Sequence, residues 1–179
     1  MSATYFILMP LVVLILAFGY NFIWKVIHEY AHLAVLKLIV GKELYSYDVN
    51  LKPHWLGNDW VSASVTWKAR ALTQKEHGLI AIAPHILEFI ACLCFVCSGL
   101  FLVNDFMREH FYIFFLWATF SFGGIIDLLA SANASDTESS DLNVFARCYN
   151  LDVVEIRHLS WLFGYISIIA GFLFVWVAL

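Results

Sequence analysis

The sequence predicts an all-α polytopic membrane protein with about five transmembrane helices and a β-hairpin inserted after the second helix. Its 179 residues are 62% hydrophobic and only 13% charged, with a mean hydropathy of +0.79. A soluble domain of this size could not bury so much apolar surface. Long uncharged runs recur along the chain, and one polar stretch alternates between apolar and polar residues. We therefore expect a single membrane-embedded domain over residues 1–179.

Four runs with few or no charges approach the roughly 20 residues that a bilayer-spanning helix needs. They cover residues 3–24, 79–104, 111–126 and 159–179. The first run has no basic region before it and no small-x-small cleavage site, so we expect a retained helix and not a signal peptide. A break at Gly19-Tyr20-Asn21 is predicted, because roughly forty continuous helical residues would exceed the membrane thickness. The residues after this break form the second helix.

The second helix contains the most informative motif, since residues 28–32 read His-Glu-Tyr-Ala-His. Positions i and i+4 of a helix share a face, so the imidazoles of His28 and His32 can hold one zinc ion. Glu29 can take a proton from water in the open coordination position of that ion. The alternative is a solvated helix, but the apolar flanks leave almost no polar face, and ionisable groups in such surroundings mark functional sites. The motif predicts metal-assisted hydrolysis.

A catalytic zinc site usually has a third protein ligand besides its open position. Downstream carboxylates are available at Asp127, which ends an apolar run, and at Asp136, Glu138 and Asp141 in the polar stretch 131–143. Physical reasoning alone favours Asp127, because it lies deepest in an apolar segment.

The polar interlude after the second helix contains two stretches with a period of two, which is typical of strands. Apolar and polar residues alternate over residues 45–52 and again over residues 61–68. Pro53 and Gly57-Asn58 lie between the two stretches, so we expect a β-hairpin over about residues 43–70. Two roles remain open for it: a structural flap, or an edge strand that pairs with the backbone of an extended substrate.

His85 and Glu88 lie three residues apart within an apolar run and are neighbours on one helix face. They can orient a metal-binding imidazole or line a water path to the metal. Equally, they can be a buried polar pair that satisfies itself. The four cysteines form neither a disulfide framework nor zinc-knuckle spacing, and the net charge of −4 gives no basic patch for nucleic acid.

The order of these motifs resembles the site-2 protease family of intramembrane zinc metalloproteases, in its small single-domain branch. In that family an H-E-x-x-H helix precedes a β-hairpin region, a span with a Gly-Pro element, and an Asn eight residues before an Asp ligand. This chain has the pentapeptide, the alternating stretches, Ala83-Pro84, and Asn133 eight residues before Asp141. Ser140-Asp141 with the later Phe145-Ala146 and Trp161 adds a local resemblance. The chain departs from the pattern at Ala83, where the family has Gly, and after Asp141, where the family commonly has Gly-Gly.

The resemblance implies a zinc metalloendopeptidase that binds Zn²⁺ through His28, His32 and Asp141, with Asp127 as the alternative third ligand. The polar segment of about residues 131–146 would carry Asp141 into the protein. Glu29 would be the catalytic base, and Asn133 would hold the substrate or its developing oxyanion.

The expected partners are a membrane-protein or peptide substrate and the lipid bilayer, with no nucleic acid. We expect a multi-pass protein of a bacterial or archaeal cytoplasmic membrane. The alternative function is a catalytically inactive, protease-like scaffold that binds partner helices, although such a binder would not need Glu29. A membrane di-iron oxygenase would need more histidine clusters than seven scattered histidines supply.

Overall fold

The computed structural model describes residues 3–56, 59–61, 63–101 and 111–178. Within these ranges the protein is mostly helical. The helices are α1 (Ala3–Val40), α2 (Gln74–Phe101), α3 (Phe111–Asn133), α4 (Asp141–Tyr149) and α5 (Val153–Ala178). Short 3₁₀ turns at Gly41–Glu43 and Ala134–Asp136 follow α1 and α3.

The first two predicted helices are in fact one helix, so the predicted break at Gly19-Tyr20-Asn21 is wrong. α1 runs without interruption for 38 residues, which makes it about 57 Å long at 1.5 Å per residue. A glycine inside a helix costs only about 0.5–1 kcal/mol relative to alanine, and the packing of α1 against α2 and α3 offsets such a cost. The described residues thus contain four long helices, where five were expected.

Two of the described helices contain segments that are long and apolar enough to cross a membrane. These segments are Gln74–Cys97 in α2 and Val153–Gly171 in α5. Only 17% of the α5 segment is buried, and large apolar side chains such as Leu159, Leu162 and Ile169 are more than half exposed. A helix in water would bury such a stripe, so this surface supports association with a membrane.

The two alternating stretches pair with each other in one antiparallel ladder, and the connection between them contains a second antiparallel ladder that was not predicted. Strand β1 (Leu44–Asn50) pairs with β4 (Ser64–Ala69), with Val49 opposite Val65. Between them, β2 (His54–Leu56) pairs with β3 (Asp59–Val61). At the base of this hairpin, the guanidinium of Arg70 lies 2.8 Å from the Glu43 carboxylate and 2.6 Å from the Glu76 carboxylate. These ion pairs tie both outer strands to the start of α2.

Two apolar clusters hold the helices together. The first consists of Leu33, Leu36, Val40 and Ile80, and side chains of β1 and β4 pack against it. The second joins α2 and α3 through Cys92, Phe95, Ile125 and Leu128.

Close contact between α1 and α3 fixes the position of the His28–His32 motif along the helix bundle. The indole Nε1 of Trp24 donates a 2.7 Å hydrogen bond to the carbonyl oxygen of Phe120. Side chains at Gly123 and Gly124 would collide with that indole, because an added Cβ atom would lie 2.8 Å from it in both cases. The two glycines therefore let α1 approach α3 one helical turn before His28.

Candidate metal centre

Three ligand atoms from two distant parts of the chain converge on one point. Both motif imidazoles direct Nε2 toward the same carboxylate oxygen of Asp141. That oxygen, Oδ2, lies 3.0 Å from Nε2 of His28 and 3.2 Å from Nε2 of His32. The three ligand atoms lie within 4.8 Å of one another. Two nitrogens and one oxygen so placed match the donor set of a three-ligand zinc site.

The hydrogen bond made by the second ring nitrogen of His32 shows which of its nitrogens is able to bind a cation. Nδ1 of His32 lies 2.8 Å from the backbone carbonyl oxygen of Ile80. A carbonyl only accepts hydrogen bonds, so Nδ1 carries the proton, and Nε2 of the neutral ring carries a lone pair. That lone pair faces the carboxylate of Asp141, and two acceptors at this distance repel each other unless a cation or a further proton lies between them. The donor set therefore fits a metal ion.

The separations also fit, because tetrahedral zinc ligands about 2.0–2.2 Å from the ion are about 3.3–3.5 Å from each other. The observed separations of 3.0 and 3.2 Å are only slightly shorter.

The segment before α4 brings Asp141 to this point, although it is polar and follows an apolar helix. Ser140 caps α4 by accepting a hydrogen bond from the backbone N–H of Asn143. Upstream, the guanidinium of Arg157 in α5 binds the Asp136 carboxylate at 2.5 Å. Arg147 donates a 2.6 Å hydrogen bond to the backbone carbonyl of Glu138. These contacts cap α4 and hold the exposed segment before it against α4 and α5.

Charge stabilises the ionised form of the Asp141 carboxyl. Burial alone would raise its pKa, but in the absence of a metal ion the protonated imidazoles of His32 and His28 outweigh this effect and hold the pKa of Asp141 well below its usual value. The carboxylate is thus ready to bind a cation at neutral pH.

The other carboxylates considered from the sequence occupy different positions. Asp127 is buried, but its Oδ2 lies 3.3 Å from Nδ1 of His28, on the opposite side of the ring from Asp141. Asp136 is exposed and paired with Arg157, and Glu138 is exposed. Among the four candidates, only Asp141 joins the Nε2 atoms of both motif imidazoles.

A cavity of about 720 Å³ lies beside the three ligand atoms and contains the remaining member of the motif. Glu29 lines this cavity and is only 7% exposed. Among the described residues, no hydrogen bond engages its carboxylate, which leaves it available to a water molecule in the cavity. Residues of α1, α2, α3, β4 and the segment around Ser140 form the walls.

Asn133 does not reach the site. It is exposed at the end of α3 and does not line the cavity, so the structure gives no support for its predicted contact with the substrate. Polar side chains that sequence analysis did not single out line the cavity instead, among them Lys25, Ser131 and Thr137. Lys25 had a usable signal, because it lies three residues before His28 and therefore on the same helix face.

The buried pair in α2 also lies at the site. Oε1 of Glu88 is 3.0 Å from Nδ1 of His28, and Oε2 of Glu88 is 2.7 Å from Nδ1 of His85. Both α2 side chains are fully buried. The structure therefore shows both contacts on which the two predicted roles depend: Glu88 contacts His85, and Glu88 also contacts the motif imidazole of His28.

The structure thus brings together His28, Glu29, His32 and Asp141 as one constellation, with Glu88 and Asp127 behind His28. Such a set of residues can bind a divalent cation and place a carboxylate base beside it. Comparisons of the chain with protein-family models, with curated proteins and with solved structures find no match.

Proposed function

We propose that the protein is an intramembrane zinc metalloprotease that hydrolyses peptide bonds in or near the transmembrane segments of membrane proteins. The observation that carries the proposal is the convergence of both motif Nε2 atoms on the Asp141 carboxylate, beside the buried Glu29, which has no hydrogen-bond partner among the described residues. A binding scaffold would have no need for a base at that position.

His28, His32 and Asp141 would hold the metal. A zinc ion bound there would lower the pKa of a coordinated water and polarise the scissile carbonyl. Glu29 takes the proton from the attacking water and passes it to the leaving amine. The cavity walls orient the substrate, and the hydroxyl of Ser131 and the ammonium of Lys25 are donors available to substrate carbonyls.

The proposal places α1, α2, α3 and α5 across the bilayer. Each of these helices has large apolar side chains that are at least 45% exposed, for example Phe22, Ile86, Trp117 and Ile169. Lipid would cover these side chains, because the packing within the protein does not. The ionisable groups of the metal centre face the interior of the bundle, which is where such groups are tolerated in a membrane protein.

We propose that the substrate backbone pairs with strand β4. Its residues Ser64, Val65 and Trp67 line the cavity, and among the described strands it pairs only with β1. A helical substrate hides its carbonyl groups in hydrogen bonds, so it must unwind before hydrolysis. The edge of β4 opposite β1 can satisfy the backbone of the unwound segment without regard to its sequence.

Photo-crosslinking tests this placement. With a benzophenone amino acid at position 65, an uncleaved transmembrane peptide should crosslink to the protein. The same probe at Tyr45, an exposed residue of β1 outside the cavity, should crosslink much less. Equal crosslinking at both positions would contradict the assignment of β4 as the substrate strand.

The protease proposal is tested with the purified full-length chain reconstituted into lipid vesicles. The zinc-loaded protein is incubated with a library of single-span peptides, and the products are identified by mass spectrometry. We expect cleavage within or beside the apolar segment, loss of cleavage after zinc chelation, and recovery when zinc is restored. If the zinc-loaded protein cleaves no library member, or if the metal-free protein cleaves equally well, the proposal is wrong.

A further inference from the structure

The two motif imidazoles are oriented by different kinds of acceptor. Nδ1 of His32 donates to a backbone carbonyl, that of Ile80, at 2.8 Å. Nδ1 of His28 instead lies 3.0 Å from a carboxylate oxygen, Oε1 of Glu88. The backbone of α2 thus supplies one partner and a charged side chain of α2 supplies the other.

Glu88 is itself held in place by a second histidine. Its Oε2 accepts a 2.7 Å hydrogen bond from Nδ1 of His85, one turn earlier on the same helix face. Both side chains are fully buried, and the rings of His28 and His85 meet edge to face with centroids 5.5 Å apart. A single buried carboxylate therefore bridges two imidazole N–H groups, which satisfies both of its oxygens.

We propose that Glu88, held by His85, is the positioning residue that makes His28 a metal ligand. The inference rests on the proposed zinc site. An imidazole binds a metal only through a nitrogen that carries a lone pair, so its proton must sit on the other nitrogen. Glu88 stabilises the proton on Nδ1 of His28, which fixes the ring orientation and leaves Nε2 free to face Asp141. Its negative charge also makes Nε2 a stronger donor to the metal.

Asp127 is the rival for this role, because its Oδ2 also approaches Nδ1 of His28. That contact is longer, at 3.3 Å against 3.0 Å for Glu88. Unlike Glu88, the Oδ2 atom of Asp127 has no hydrogen-bond partner among the described residues. The shorter distance and the second imidazole both favour Glu88.

Zinc affinity of the purified full-length protein tests the inference without any substrate. The affinity is measured by competition with a fluorescent chelator for wild type, Glu88→Gln, Glu88→Asp, Asp127→Asn and Cys92→Ala. We expect Glu88→Gln to bind zinc about 10–100-fold more weakly than wild type, as is typical when the partner of a metal-binding imidazole is lost. Glu88→Asp should recover part of the loss because it keeps the charge. Asp127→Asn should lose less than Glu88→Gln.

Cys92→Ala is the matched packing control, since Cys92 is buried one turn after Glu88 on the same helix. It should bind zinc like wild type. The visible spectrum of the cobalt-loaded protein is a second readout. It should change in Glu88→Gln but not in Cys92→Ala, because a purely structural disturbance would not alter the donor strength of His28.

The outcomes separate this inference from the proposed function. If wild type binds no zinc, the metal centre itself is wrong. If wild type binds zinc and Glu88→Gln binds it within about twofold with an unchanged cobalt spectrum, only the role of Glu88 is overturned. A larger loss in Asp127→Asn than in Glu88→Gln also overturns it and assigns the role to Asp127.

Discussion

Replacing Glu29 with Gln is expected to slow peptide cleavage by about 10²–10⁴-fold, which is the usual contribution of a positioned general base. Glutamine has nearly the same shape but cannot accept the proton of the attacking water. Glu29 is not among the three residues proposed to bind the metal, so the zinc content should stay at the wild-type level. Cleavage is measured in vesicles against the best library peptide, and zinc is measured by mass spectrometry on the same samples.

Tyr30→Phe is the control for this variant. Tyr30 is the next residue of the motif, but it is 52% exposed and does not line the cavity. The Tyr30→Phe variant should therefore cleave the peptide at the wild-type rate. If Glu29→Gln cleaves as fast as wild type, Glu29 is not the base. If neither wild type nor Glu29→Gln cleaves any peptide although both bind zinc, a non-catalytic scaffold becomes the better description.

Replacing Asp141 with Ala is expected to remove zinc almost completely, because one of three protein ligands is lost. We expect the affinity to fall by more than the roughly 10–100-fold typical of residues that act through a ligand. Asp127→Ala should retain zinc more tightly, because Asp127 contacts the Nδ1 side of His28 and not the Nε2 side. The measurement is the zinc content of both variants after dialysis against a weak chelator.

Asp136→Ala controls for general damage to the segment that carries Asp141. Asp136 is exposed and pairs with Arg157, so its loss should loosen the segment without removing a ligand, and most of the zinc should remain. Loss of zinc from Asp127→Ala but not from Asp141→Ala would reverse the ligand assignment. Loss from all three variants would mean that the segment does not form a defined metal centre.

Sequence reasoning succeeded where the signal is local. The i, i+4 spacing of the motif puts both imidazoles on one face whatever surrounds the helix, and the structure has them there. The period-two stretches pair as antiparallel strands, because alternation specifies a strand with two different faces. The apolar runs became the long helices.

Sequence reasoning failed where packing outweighs a local preference. Gly19 suggested a break, but its cost of about 0.5–1 kcal/mol is small beside the contacts that α1 makes with α2 and α3. The surroundings of Asn133 also depend on packing: it lies exposed at the end of α3 and outside the cavity, and its contact with a substrate stays a prediction. Neither outcome can be deduced from neighbouring residues.

The sequence by itself determined the apolar composition, which needs no structure to count. It also determined the two imidazoles with their adjacent carboxylate and the alternating strands of the hairpin, because each of these patterns depends on residues a few positions apart. Only the tertiary structure placed Asp141, and not Asp127, beside the Nε2 atoms of both motif imidazoles, placed Glu88 behind His28, and put β4 along the cavity. The physical reason is distance along the chain: Asp141 lies 113 residues from His28. Which carboxylate reaches which ring nitrogen therefore depends on how α1, α2 and α3 pack and where the segment before α4 enters the bundle.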